Sequence, residues 1–128
     1  MSRDLPLIAV VDDEDGVRTA LRRLLQSAGM NVATFCGGRE FLSTLATQPP
    51  DCAVIDLHMP DVTGFDVLTQ LAETRSSVPV VIITGHDSVD AETAATLGGA
   101  SAYLRKPIKD HVLLAAITAA IEATPSSL

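Results

Sequence analysis

Cysteine is nearly missing from the chain: Cys36 and Cys52 are the only two, and neither has a histidine or a second cysteine at ligand spacing. That pattern suggests neither a zinc site nor a disulfide framework, and both thiols read as small core hydrophobes. Basic residues are also scarce, nine Lys and Arg against sixteen Asp and Glu, for a formal charge of −7. Binding to nucleic-acid phosphates needs clustered cations, so this balance argues against direct nucleic-acid contact by the domain. Arg18, Arg22 and Arg23 form a local basic group and share one predicted helix. A solvated helix face is the simpler reading of them, with partner docking the alternative. No apolar run is long enough to span a bilayer, and the opening MSRDLP lacks the apolar core of a secretion signal. The expectation is a soluble, cytoplasmic protein with no membrane partner.

What is present is a globular composition, 47% apolar and 20% charged residues, in 128 residues. One domain of that size buries roughly 70% of its unfolded surface, and there is no room for a second. Short apolar runs alternate with helix-period segments from end to end, the signature of βα units around a parallel sheet. The strand-like runs fall at 7–11, 32–35, 52–55, 80–83 and 102–104. Between them, Val17, Ala20, Leu21, Leu24, Leu25 and Ala28 mark one helix, stopped by Gly29, and Phe41, Leu42 and Leu45 a second. Phe65, Leu68, Leu71 and Ala72 mark a third helix. A fourth, at 89–97, is weakly patterned, with Val89, alanine and Leu97 on its apolar side. Val112, Leu113, Ala116, Ile117, Ala120 and Ile121 mark the last. The fold class is therefore α/β, a doubly wound (βα)5 domain over 1–123. Residues 124–128, ending in TPSSL, read as a flexible tail or the start of a linker to an output domain.

The first strand raises a chemical question. LIAVVDDEDG runs five apolar residues straight into four acidic ones, Asp12, Asp13, Glu14 and Asp15, which must repel one another. In open α/β sheets, ligands bind outside the carboxyl ends of the strands. Those ends carry Asp12 and Asp13, Asp56, Thr84 and Lys106, with only Cys36, Gly37 and Gly38 after the second strand. Alone, each has an ordinary explanation: Asp56 or Thr84 as a cap, Lys106 as a solvated lysine. Together at four strand ends they read as one site. If strands one and three are neighbours, three carboxylates converge there, and they stay ionised cheaply only when a cation joins them. Oxygen-only ligands favour a hard ion such as Mg²⁺, which leaves positions open to a phosphoryl group. Lys106 and Thr84 can complement phosphoryl oxygens, and Asp56, the central carboxylate, is placed to act as the nucleophile.

In this order and spacing, VVDDE, DLHMPDVTG, ITG and YLRKP make the chain resemble the receiver domain of bacterial two-component response regulators, over about 7–123. The TGH segment is most similar to the FixJ/NarL-type subgroup. The resemblance implies a flavodoxin-like, CheY-like sheet of order 2-1-3-4-5. It implies that Asp56 takes a phosphoryl group from a sensor histidine kinase or a histidine phosphotransfer protein, making this a phosphoprotein and not an enzyme acting on external substrates. It implies Mg²⁺ (or Mn²⁺) held by Asp13, Asp56 and the His58 backbone carbonyl, with Asp12 helping through water. It further implies that Lys106 reaches the phosphoryl group from a cis Lys106–Pro107 bond, and that Thr84 and Tyr103 form the switch. The fourth helix, fifth strand and fifth helix would then present a changed surface to a downstream effector or output domain in transcriptional control, or to a second copy as a phosphorylation-dependent homodimer. For Tyr103, a half-buried ring with a wet hydroxyl is the alternative. His58 and His86, two residues past Asp56 and Thr84, either tune phosphoryl lifetime or are simply exposed. Gly85 leaves access to the phosphoryl group, while Gly99 stands where the family commonly has alanine or another small residue.

Two other readings use the same residues. A metal-dependent phosphatase with an aspartyl intermediate would usually carry a second acid two residues after its nucleophile, where this chain has His58, and a cap for which there is little room. A degenerate receiver that only binds partners would be expected to lack some of these reactive residues. A nucleotide-binding module is weaker still, since no G-x-G-x-x-G follows the first strand.

Overall fold

The computed structural model describes residues 5–86 and 88–123. Five strands, β1 (Leu7–Val11), β2 (Asn31–Phe35), β3 (Cys52–Asp56), β4 (Val80–Thr84) and β5 (Ala102–Arg105), alternate with five helices. These are α1 (Asp15–Ser27), α2 (Gly38–Thr44), α3 (Gly64–Glu73), α4 (Val89–Leu97) and α5 (Asp110–Ala123). The strands form one sheet of order β2-β1-β3-β4-β5, and every pairing is parallel. The expected α/β class and winding are therefore present. TPSSL at 124–128 lies outside the described residues.

Side chains alternate across each strand, so a parallel sheet covered on both faces has two cores. On one face Ala9, Val11, Ala53, Ile55 and Ile82 pack with Phe41 of α2, Val67, Leu68 and Leu71 of α3, and Ala95 of α4. On the other, Ile8, Val10, Val54, Val81 and Ile83 pack with Leu25 of α1 and Leu113 and Ile117 of α5. Cys52 belongs to this second core, as expected, and burial pushes its thiol up to about 12. Cys36 does not: it is exposed beyond β2, where its thiol donates to Glu40 Oε2. A strand-end position next to Gly37 leaves no core for it to enter.

Helix ends follow local chemistry. Gly29 takes φ 85 after α1, a conformation that costs glycine little. Thr63 and Asp66 form a reciprocal capping box at the start of α3, and the Ser88 hydroxyl accepts from Ala91 N at the start of α4. The apolar side expected of α4 is covered only in part. Val89 and Leu97 are 80% and 83% exposed, and Ala95 is the buried anchor. An anchor that small holds little apolar area, so the helix lies lightly on the sheet.

The predicted strands shift slightly at their ends. Asn31 joins β2 because it pairs with Leu7 and donates to Pro6 O. Arg105 joins β5 opposite Thr84, and Asp56 closes β3 opposite Ile83. Asp56 is thus held by sheet pairing and is not a loop residue.

Candidate functional site

With β1 and β3 as neighbours, the carboxyl ends of both open on the same crevice. Asp12 follows β1 and is fully buried; Asp56 ends β3 at 4% exposure; Asp13 is exposed. One oxygen from each of the three carboxylates lies within 4.8 Å of the others. Each buried acid is held by the backbone: Asp12 Oδ1 accepts from Glu14 N at 2.9 Å, and Asp56 Oδ1 from His58 N at 3.4 Å.

Lys106 arrives from the far side of the sheet. Its amide donates to Thr84 O at 2.7 Å, and its Nζ sits 3.2 Å from Asp12 Oδ2, 3.6 Å from Glu14 Oε1 and 3.8 Å from Asp56 Oδ1. Burial works against the ammonium, but the hydrogen bond and charge of Asp12, with Asp56 and Glu14 behind it, outweigh that and raise it above the ordinary lysine value. The Lys106–Pro107 bond is cis, as the resemblance implied.

Burial, then the neighbouring Asp12 charge, push Asp56 up to about 6, against the pull of Lys106 and the His58 amide. One ammonium therefore leaves excess negative charge among three carboxylates. An all-oxygen donor set with that excess suits a hard divalent cation, so Asp12, Asp13 and Asp56 fit the metal that the sequence suggested.

Thr84 ends β4 fully buried; its hydroxyl donates to His86 O and accepts from His86 N, both at 3.0 Å. Tyr103, opposite Ile82 in β5, is half-buried against the α2–α3–α4 core, and its hydroxyl oxygen is buried. The wet-hydroxyl alternative does not hold. His58 and His86 are both exposed.

Two further residues shape the site. Arg18 was grouped with a solvated face, yet its side chain is only 17% exposed. Its NH1 donates to Asp12 O at 2.6 Å, and the guanidinium pairs with Asp15, while Arg22 and Arg23 remain in solvent. The Asp15–Arg18 spacing of three on a helix was the available signal. Gly64, the first residue of α3, lets that helix press on the end of β3: a Cβ there would meet Leu57 Cα at 2.9 Å and Asp56 O at 3.1 Å.

Comparison with known proteins agrees with this geometry. The family model for the response regulator receiver domain matches residues 8–118. Nodulation protein W of Bradyrhizobium diazoefficiens is 35% identical over 116 residues, covering 91% of this chain and 51% of that protein. The DNA-binding transcriptional regulator NtrC of Escherichia coli is 36% identical over 115 residues, 90% of this chain and 24% of that protein. The chain thus spans about half, or less, of the length of these curated relatives. The crystal structure of FixJ-N superposes with a TM-score of 0.89 at 31% identity, covering 98% of this chain and 100% of that one.

Proposed function

The chain belongs to the response regulator receiver family, and from that premise we propose that it is a phosphoryl-accepting switch with Asp56 as the acceptor. The observation that carries this reading is the convergence of Asp12, Asp13 and Asp56 within 4.8 Å, beside the Lys106 ammonium. The donor is a phosphohistidine on a sensor histidine kinase or a histidine phosphotransfer protein. An Asp56 oxygen bonds to phosphorus as the N–P bond breaks, and its electron pair returns to the donor imidazole. A carboxylate pushed up to about 6 is still ionised at neutral pH and can attack.

Asp12, Asp13, Asp56 and the His58 backbone carbonyl would hold Mg²⁺ or Mn²⁺, which when bound neutralises phosphoryl-oxygen charge. Lys106 exchanges its contact with Asp12 for one with a phosphoryl oxygen. Thr84 turns its hydroxyl from His86 O toward the same group, and Tyr103 follows into the space. Lightly anchored, α4 is the element that yields, and the α4-β5-α5 surface changes for a downstream effector, an output domain or a second copy. The NtrC relative, a DNA-binding transcriptional regulator, supports transcription as the process controlled. Hydrolysis resets the switch: water attacks phosphorus, and Asp56 leaves as carboxylate with release of inorganic phosphate. No external substrate is turned over.

The test is intact mass after incubation with acetyl phosphate, with and without Mg²⁺, for wild type and Asp56→Asn. One Mg²⁺-dependent phosphoryl adduct on wild type alone is expected. An adduct of equal yield on Asp56→Asn would overturn the assignment.

A further inference from the structure

Two exposed histidines meet across the mouth of the site. His58 follows β3 and His86 follows β4, 28 residues apart, yet their rings pack edge-on with centroids 5.5 Å apart and planes at 82°. His58 Nε2 lies 3.4 Å from the His86 carbonyl oxygen. A carbonyl only accepts, so this contact uses the tautomer with its proton on Nε2. The same carbonyl accepts the Thr84 hydroxyl at 3.0 Å, and the His86 amide donates back to that hydroxyl at 3.0 Å. Donors from two separate loops therefore converge on one oxygen.

We propose that the His58 side chain is a positioning residue for Thr84: it pins the His86 backbone in the conformation that occupies the Thr84 hydroxyl, and so opposes the turn of Thr84 toward a phosphoryl group. The inference rests on the phosphoacceptor reading above. Thr84 is fully buried, and a buried hydroxyl gives up its partners only for others. To leave, it must break two bonds to His86 at once. His58 shares the acceptor of one of those bonds, the His86 carbonyl oxygen, and holds His86 in place through a long hydrogen bond and an edge-on ring contact. Removing that hold weakens the resting state and shifts the population toward the active one. This role belongs to the imidazole and is separate from the His58 main-chain carbonyl.

The experiment measures the affinity of the full chain for beryllofluoride, a phosphoryl mimic, in the presence of Mg²⁺. His58→Ala is expected to bind about two- to tenfold more tightly than wild type, the range that one weak hydrogen bond commands. His58→Gln, whose amide nitrogen can donate at a similar reach, is expected to return toward the wild-type value. In a Thr84→Ala background, His58→Ala is expected to change nothing, because no hydroxyl remains to be held. Unchanged or weaker binding by His58→Ala would overturn the proposal, as would the same gain without Thr84, which would mean that His58 acts on the anion directly. Wild type binding normally alongside an unaltered His58→Ala affinity would defeat the positioning role alone. No Mg²⁺-dependent binding by wild type would defeat the phosphoacceptor reading and this inference with it.

Discussion

Lys106 and Asp12, 94 residues apart in the chain, meet at 3.2 Å between Nζ and Oδ2. The ammonium is nearer to Asp12 than to Asp56, at 3.8 Å, so in the proposed switch its resting partner is a carboxylate that a phosphoryl group would displace. Lys106→Ala removes the cation that balances two buried acids. Mg²⁺ is then expected to bind at least as tightly as to wild type, since the excess negative charge grows. The phosphorylation-dependent change in partner affinity or assembly is expected to disappear. Titration of Mg²⁺ by calorimetry checks the first point; weaker binding by the variant would contradict it.

Asp56 makes stability depend on pH in a defined direction. Its carboxyl rises from an ordinary 3.8 to about 6 on folding, so the folded state favours the protonated form. That contribution is fully present below about 4 and is lost as pH rises through about 6. At pH 7.5 without Mg²⁺, Asp56→Asn should therefore be more stable than wild type, by up to about 3 kcal/mol from a shift of roughly two units. The gap should narrow at pH 4.5, and also on adding Mg²⁺, which stabilises the wild-type carboxylate. Urea unfolding at the two pH values decides it; a gap independent of pH would contradict the stated electrostatics.

Gly64 and Gly85 flank the site and should respond differently to alanine. At Gly64 the new Cβ meets backbone of Leu57 and Asp56 at 2.9 and 3.1 Å, atoms that cannot rotate away. Gly64→Ala should cost about 1–3 kcal/mol and slow phosphorylation by displacing the β3 end. At Gly85 the nearest atom is Lys106 Cδ at 3.9 Å, an ordinary contact. Gly85→Ala should stay within about 0.5 kcal/mol of wild type. Chemical denaturation with a phosphorylation time course separates the two.

The exposure of α4 makes a further contrast. Leu97→Ala should change stability by less than about 0.5 kcal/mol, because Leu97 is mostly in water. Leu25→Ala, in the core under α1, should cost about 2–5 kcal/mol. A large loss for Leu97→Ala would mean that α4 is anchored more firmly than Ala95 alone allows.

What could be read from the sequence was whatever depends on local pattern. Alternating strand-like and helix-period segments imply the winding, and the rule that α/β sites form at strand ends collects Asp12, Asp13, Asp56, Thr84 and Lys106 without knowledge of any contact. Apolar identity does not say which residues of a small helix are covered: of Val89, alanine and Leu97 on the expected apolar side, Val89 and Leu97 lie mostly in water and Ala95 is buried. The position of Arg18 depends on the Asp12 carbonyl, six residues away and turned by the strand-to-helix junction. The convergence of His58 and Thr84 on one carbonyl is a tertiary event between two loops, and no spacing rule records it.

The most direct measurement of the central claim is the location of the phosphoryl group. Phosphorylated protein treated with borohydride converts an aspartyl phosphate to homoserine, which peptide mass mapping can assign to a position. Homoserine is expected at position 56, only after phosphorylation and only with Mg²⁺ present. Homoserine at Asp12 or Asp13, or a phosphoryl group that survives borohydride on another side chain while Asp56 is unmodified, would contradict it.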